Sequence, residues 1–149
     1  MRSKHFTLTD VRALAPTTLE MRFADGEHLR VDLASIISAY PTLGRLAVPE
    51  VFAIPRLVDG GSAVAWGDDD MLELAADNLR AHAIEQAGGY SHEVIYNWMA
   101  RHGLTLDGAA QALGLSRRML AYYRGGAKPV PRTVALACLG WESEQRKAA

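Results

Sequence analysis

The 149-residue sequence is long enough for one ordinary domain or for two small ones that each bury a modest core. Its formal net charge of -1 conceals an asymmetry, because residues 1–87 hold 8 basic and 13 acidic residues whereas residues 88–149 hold 8 and 4. The second part is net positive, which favours a polyanion as its partner, although a solvated charged face is the alternative interpretation.

Cysteine content and hydropathy exclude several classes of protein. Cys138 is the single cysteine, so the sequence offers neither an intramolecular disulfide framework nor a thiolate metal cluster. The N-terminal segment MRSKHFTLTD lacks an apolar signal core, and no run of about 18 apolar residues occurs. We therefore expect a cytoplasmic protein with no membrane partner.

The first part of the chain is predicted to form strands. Apolar and polar residues alternate in TLEMRFADGEHLRVDL on both sides of Asp25-Gly26, a pair typical of a tight hairpin turn. An earlier strand, Val11 to Leu14, is predicted to join the hairpin through a turn at Pro16. These three strands would form a meander.

A short helix and a second strand pair are predicted next. The helix covers Leu33 to Ala39 and ends before Pro41. The strand pair lies in VFAIPRLVDGGSAVAWG, where Asp59-Gly60-Gly61 makes the turn and Pro55 favours an edge position because it lacks a backbone donor. The apolar strand positions are Phe52, Ile54, Val58, Val64 and Trp66.

A helix from Asp77 to about Ala87 ends at Gly88-Gly89, which we take as the domain boundary. The fold class is therefore α+β: a small antiparallel-sheet domain with helices over residues 1–87, followed by an all-α domain over residues 88–149.

Four short helices are predicted after the boundary. Ser91 caps the first, Thr105 caps the second over Leu106 to Leu113, and Ser116 caps the third over Arg117 to Arg124. Pro131 lies in the first turn of a fourth helix, and the polar end SEQRKAA is expected to fray. The apolar stripe of this last helix comprises Val134, Ala137, Cys138 and Trp141.

The second and third of these helices are spaced as a helix-turn-helix requires. Ala110 supplies a small residue where the helices approach, and Gly114 supplies positive φ at the turn. Leu120 and Tyr123 are predicted to face inward. At about 3.6 residues per turn, this arrangement leaves a set of outward positions on the third helix: Ser116, Arg117, Arg118, Ala121 and Tyr122.

The segment LTLDGAAQALGLSRRMLAYYRGGAKPVPRTVALACLG resembles the Cro/repressor class of helix-turn-helix domains, the lambda-repressor-like fold, in its small-residue, glycine, serine and inward-aromatic pattern. In that family the second helix of the motif lies in the major groove of double-stranded DNA. The resemblance therefore implies that the helix beginning at Arg117 contacts DNA and that Lys128 contacts phosphate. The candidate DNA-binding residues are Thr105, Ser116, Arg117, Arg118, Ala121, Tyr122, Arg124 and Lys128.

One position departs from the family pattern. Leu106 stands where many family members carry a glutamine that contacts the DNA backbone and braces the recognition helix. This departure favours an alternative, in which the helical domain binds DNA weakly or not at all and serves as a protein-interaction or antitoxin-like module.

The N-terminal part resembles a bacterial family of meander-plus-helix domains of unknown function, which carry a phenylalanine strand, an Asp-Gly turn and a buried tryptophan. The matching residues are Phe52, Asp59-Gly60 and Trp66. Members of that family are often found beside genes of toxin-like proteins. The resemblance implies an interaction role, regulatory or antitoxin-like, with a protein partner bound through the acidic domain.

Catalytic and metal-binding patterns are weak. The five histidines show no short ligand spacing, and the acidic run Asp68 to Asp70 is more typical of a solvated loop or helix cap than of a cation site. Cys138 falls on an apolar stripe, which favours a buried thiol over a nucleophile. We expect no enzyme, no cofactor and no metal.

These patterns together predict a DNA-binding transcriptional regulator of repressor type. Because one monomer offers a small footprint, useful specificity would require a homodimer that reads two half-sites about one helical turn apart.

Overall fold

The computed structural model describes residues 3–68 and 72–149, so Asp69 and Asp70 of the acidic run lie outside the described residues. The fold is mixed α+β, as predicted, with two three-stranded antiparallel sheets and helices. The chain forms two compact units, Met1–Gln86 and Ala87–Ala149. Among the described residues, no helix has the length and apolar character needed to cross a membrane.

The predicted meander is confirmed. Strands β1 (Leu8–Leu14), β2 (Thr18–Phe23) and β3 (His28–Asp32) pair antiparallel in that order. Gly26 takes a φ of 94° in the turn between β2 and β3. Strand β1 begins three residues earlier than predicted, because Leu8 pairs with Phe23 and is buried.

The next segment corrects the prediction for Phe52, which is not in a strand. Helix α1 (Ala34–Ala39) is followed by a 3-10 segment (Pro41–Ala47) and by helix α2 (Pro49–Phe52). Pro49 occupies the first position of α2, where its fixed φ favours a helical turn. The Phe52 carbonyl accepts a hydrogen bond from Trp66 Nε1 at 3.1 Å. The Phe52 side chain is buried, so it packs into the core from a helix and not from a strand.

The second sheet contains one strand more than predicted. Strands β4 (Pro55–Val58), β5 (Ala63–Trp66) and β6 (Glu73–Ala75) pair antiparallel in that order, so Pro55 lies on an edge strand as expected. Ile54 precedes β4 and is 66% exposed, which contradicts its predicted strand position. Helix α3 (Ala76–Gln86) completes the unit and starts one residue before its predicted start.

The second unit consists of helices α4 (His92–Arg101), α5 (Leu106–Leu113), α6 (Arg117–Arg124) and α7 (Arg132–Ala148). The predicted bounds of α5 and α6 are confirmed, as are the caps at Ser91, Thr105 and Ser116. The core of this unit forms around Ile95, Trp98 and Leu120, none of which has exposed surface.

Three predictions for the last helix are wrong in detail. Ala135, and not Ala137, is buried, and Pro131 is the residue before the helix. The helix runs to Ala148 where fraying was expected, because the segment consists mostly of good helix formers and ends with Arg146 and Lys147, whose charges suit a helix C-terminus.

Candidate nucleic-acid interface

The turn between α5 and α6 is closed by its backbone and by a side-chain cap. Gly114 has a φ of 70° and a ψ of 29°, a left-handed conformation that glycine adopts without a Cβ penalty. The backbone N–H of Leu115 donates to the Ala110 carbonyl at 2.9 Å. Ser116 Oγ accepts from the N–H of Met119 at 3.0 Å. These bonds fix where α6 begins and its direction relative to α5.

Packing fixes which face of α6 is turned outward. Leu120 is fully buried, and Tyr123 packs against the same core, as predicted. Ala109 and Ala110 are also buried and provide the small side chains that a close helix approach requires. The predicted outward residues are divided between exposed ones, Ser116, Arg117 and Arg118, and half-buried ones, Ala121 and Tyr122.

Three of the candidate residues form one cluster around the Tyr122 ring. Arg118 Nε donates to the Tyr122 hydroxyl at 2.6 Å, and the Arg118 guanidinium carbon lies 5.5 Å from the ring centroid. Lys128 Nζ lies 5.0 Å from the same centroid. Both distances are within the range of a cation–π interaction. We call Arg118, Tyr122 and Lys128 the basic-aromatic cluster.

The loop after α6 holds Lys128 in this cluster. The Tyr122 carbonyl accepts from the N–H of Ala127 at 3.0 Å and from that of Lys128 at 3.3 Å. Gly126 takes a φ of 79° within this turn, a value that favours glycine. The path of the backbone therefore returns Lys128 to the helix residue that precedes it by six positions.

Arg117 has a different partner. Its Nε lies 3.6 Å from Asp107 Oδ1 in the first turn of α5, and the two side chains are 67% and 75% exposed. Asp107 was not among the residues predicted for the site. Its only local signal is an acidic residue near a helix N-terminus, which is common on any helix.

The remaining candidates lie outside the cluster. Thr105 is exposed and caps α5, with its Oγ1 accepting from the Gly108 N–H at 3.0 Å. Arg124 is exposed in the last turn of α6. Leu106, which stands in place of the family glutamine, is half-buried and packs against the core of the unit.

The structure also describes the residues considered for catalysis or metal binding. Cys138 is buried, and its pKa is raised to about 11 because burial disfavours the thiolate and Glu142 adds negative charge nearby. Within residues 3–68 and 72–149, no three His, Cys, Asp or Glu side chains lie close enough together to hold a metal ion.

A solved structure is similar to this chain. No protein-family profile matches the sequence, and no curated protein matches it significantly. A solved structure from Nitrosomonas europaea ATCC 19718 superposes with a TM-score of 0.84 at 44% sequence identity. The match covers 95% of this chain and 90% of the other, which bears the name "Putative DNA Binding Protein NE0471".

This similarity extends over both units and defines a class of two-unit α+β proteins. The chain belongs to the same family as NE0471 from Nitrosomonas europaea.

Proposed function

We propose that the protein binds double-stranded DNA through residues 87–149 and acts in the cytoplasm as a transcriptional regulator of helix-turn-helix type. The observation that carries this proposal is the basic-aromatic cluster, in which Arg118 and Tyr122 come from α6 and Lys128 from the loop after it. A glycine turn and a serine cap fix the start of this helix. The name of the Nitrosomonas europaea relative supports DNA as the partner.

In the proposed complex α6 enters the major groove, because its outward face offers donors for base edges and phosphates. Lys128, on the loop that follows, contacts a phosphate as a compact point charge. Thr105 and Ser116 lie at the starts of α5 and α6, where hydroxyl and backbone N–H groups suit phosphate oxygens.

We further propose that the protein acts as a homodimer through α7. Leu136 and Leu139 are 46% and 60% exposed on this helix, and the space around Gly140 is open. We consider two copies of α7 that pair antiparallel, with the midpoint of the pairing at the level of residue 138. In this register Leu136 lies opposite the partner's Gly140. The same pairing puts Arg132 level with the partner's Glu144, so apolar and charged groups match at one register.

The test of DNA binding is its dependence on salt. Binding of a labelled random-sequence duplex would be followed by fluorescence anisotropy over a series of salt concentrations. We expect Arg117→Ala with Arg118→Ala to weaken binding and to reduce the slope of log affinity against log salt by about 0.9 per lost phosphate contact. The matched control is Arg146→Ala with Lys147→Ala, which removes the same charge from exposed positions at the end of α7.

Equal slopes for the two double variants would contradict the groove assignment. Absence of binding by the wild-type chain would instead favour the protein-interaction alternative. That alternative is favoured by Leu106, which packs into the core and provides no polar group to brace α6 against DNA.

A further inference from the structure

The two arginines at the start of α6 are not equivalent, although they are adjacent in the sequence. Arg118 is held by Tyr122, one helical turn further on, whereas Arg117 faces Asp107 on α5. From this difference we infer that Arg118 recognises a guanine base and that Tyr122 is its positioning residue. The inference rests on the proposed function, and it names the base that the site selects.

The Arg118–Tyr122 hydrogen bond determines which donors of Arg118 remain available. Nε donates to the Tyr122 hydroxyl, so the Nη1 and Nη2 groups are left as the free edge of the planar guanidinium. Two parallel donors on one plane match the O6 and N7 acceptors of guanine in the major groove. No other base presents two adjacent acceptors in that groove.

The same bond prepares the side chain for binding. A free arginine side chain loses rotamer entropy when it is fixed on a base. In this protein the hydrogen bond and the ring contact at 5.5 Å restrict Arg118 before DNA arrives. The Tyr122 oxygen accepts from Arg118, and its own proton is left to donate to a phosphate.

Arg117 and Lys128 fit other roles. Arg117 lies beside an exposed carboxylate at 3.6 Å, which lowers the local positive potential and competes with a base for its donors. Lys128 lies on the loop after α6, and its ammonium is a compact point charge without the rigid planar fork of arginine. A phosphate contact suits both residues better than a guanine edge.

The experiment is a selection of bound sequences from a random duplex pool with the intact chain, followed by affinity measurements on the selected site. We expect one strongly selected guanine. Replacing it with another base should weaken wild-type binding by about 5- to 150-fold, since a bidentate contact discriminates by about 1–3 kcal/mol. Replacing it with 7-deazaguanine, which lacks the N7 acceptor, should weaken wild-type binding as well.

Variants separate positioning from charge. Arg118→Ala should abolish the guanine preference, and Arg118→Lys should weaken it although the charge is kept, because the ammonium has no rigid fork. Tyr122→Phe should reduce the preference about 2- to 12-fold, which corresponds to 0.5–1.5 kcal/mol for fixing one side chain. Its salt slope should not change, because no charge is removed. Tyr96→Phe is the control, since Tyr96 is 61% exposed on α4.

The inference is overturned if the wild-type chain binds DNA but Arg118→Ala keeps the same base preference, or if 7-deazaguanine is tolerated. It is also overturned if Tyr122→Phe and Tyr96→Phe have equal effects. Each of these results leaves DNA binding itself intact. Absence of binding to any duplex contradicts the proposed function together with the inference.

Discussion

Asp107 on α5 places a carboxylate 3.6 Å from the Arg117 guanidinium on α6, on the side of the unit that we propose faces DNA. Both side chains are mostly exposed, so the pair contributes little to the stability of the unit. The pair mainly affects the binding of a polyanion such as DNA, because the carboxylate repels phosphate and pairs with the Arg117 guanidinium.

Removing this carboxylate should strengthen DNA binding. We expect Asp107→Asn to raise affinity for a random duplex by up to about fivefold, corresponding to the roughly 1 kcal/mol upper range of an exposed ion pair. Glu50→Gln, at an exposed acid of the first unit, changes the net charge equally and is the matched control. Anisotropy titrations at low salt measure the DNA affinity of both variants. An equal gain in affinity would show that Asp107 acts only through the net charge of the protein.

The proposed dimer makes a separate prediction about α7. Leu136→Glu with Leu139→Glu puts like charges at the centre of the pairing, so the protein should become monomeric in sedimentation equilibrium at micromolar concentrations. Tyr96→Glu alters an exposed aromatic residue on α4 and should leave the dimer intact. A wild-type chain that sediments as a monomer under these conditions would refute the α7 pairing.

In the first unit, a buried ion pair predicts loss of stability in acid. Burial by itself would raise the pKa of Asp25, but hydrogen bonds from His5, Arg80 and the Glu27 N–H outweigh it and lower the pKa to about 2. Arg80 Nη2 lies 2.9 Å from the carboxylate, and both side chains are less than a tenth exposed. The carboxylate is therefore more acidic in the folded chain than in the unfolded one.

Because the folded pKa is depressed, this contribution is present above pH 4 and is lost as the pH falls towards 2. The expected loss is about 2 kcal/mol of unfolding free energy. Urea unfolding followed by the amide NMR signals of β2 measures it. Asp25→Asn should lower stability at pH 7 and remove most of the acid dependence, whereas Glu27→Gln, at an exposed acid, should keep it. Unchanged acid dependence in Asp25→Asn would exclude this origin.

The elements nearest the proposed site could be predicted from the sequence because their signals are local. Thr105, Gly114 and Ser116 define the ends of α5 and α6 through caps and a positive-φ turn, which involve only adjacent residues. The strand prediction for Phe52 is wrong because it rested on an alternation of apolar residues and did not use the helical turn that begins at Pro49. Strand β6 was missed because its three residues carry too short a pattern.

The contacts within the site also differ in how far they could be predicted from the sequence. Arg118 and Tyr122 are four residues apart on one helix, so their proximity follows from helical geometry. The approach of Lys128 to the Tyr122 ring depends on the path of the loop after α6, and the approach of Asp107 to Arg117 depends on the turn at Gly114. The burial of Ala135 in place of Ala137 depends on the position of the other helices around α7. Such non-local contacts leave no signal in a single sequence.

Two glycines with positive φ should respond differently to alanine. At Gly114, with a φ of 70°, an added Cβ meets no atom within 4 Å, so Gly114→Ala should cost about 1 kcal/mol of backbone strain. At Gly61, with a φ of 93°, the Cβ would collide with the Leu8 carbonyl oxygen. Thermal unfolding should therefore show a much larger loss for Gly61→Ala, and equal losses would contradict the close approach of Gly61 to β1.

The thiol of Cys138 provides a probe of the second unit. Burial first, and the charge of Glu142 second, raise its pKa from 9.0 to about 11, so the thiol stays protonated in the folded chain at pH 8. We expect a disulfide reagent such as DTNB to react with Cys138 only at the rate of unfolding. The folded pKa is raised, so this thiol's contribution to stability is retained below pH 9 and lost as the pH rises towards 11. Cys138→Ser should abolish the labelling, and rapid reaction of the native wild-type chain at pH 8 would show that this side chain is accessible and that α7 packs less closely than described.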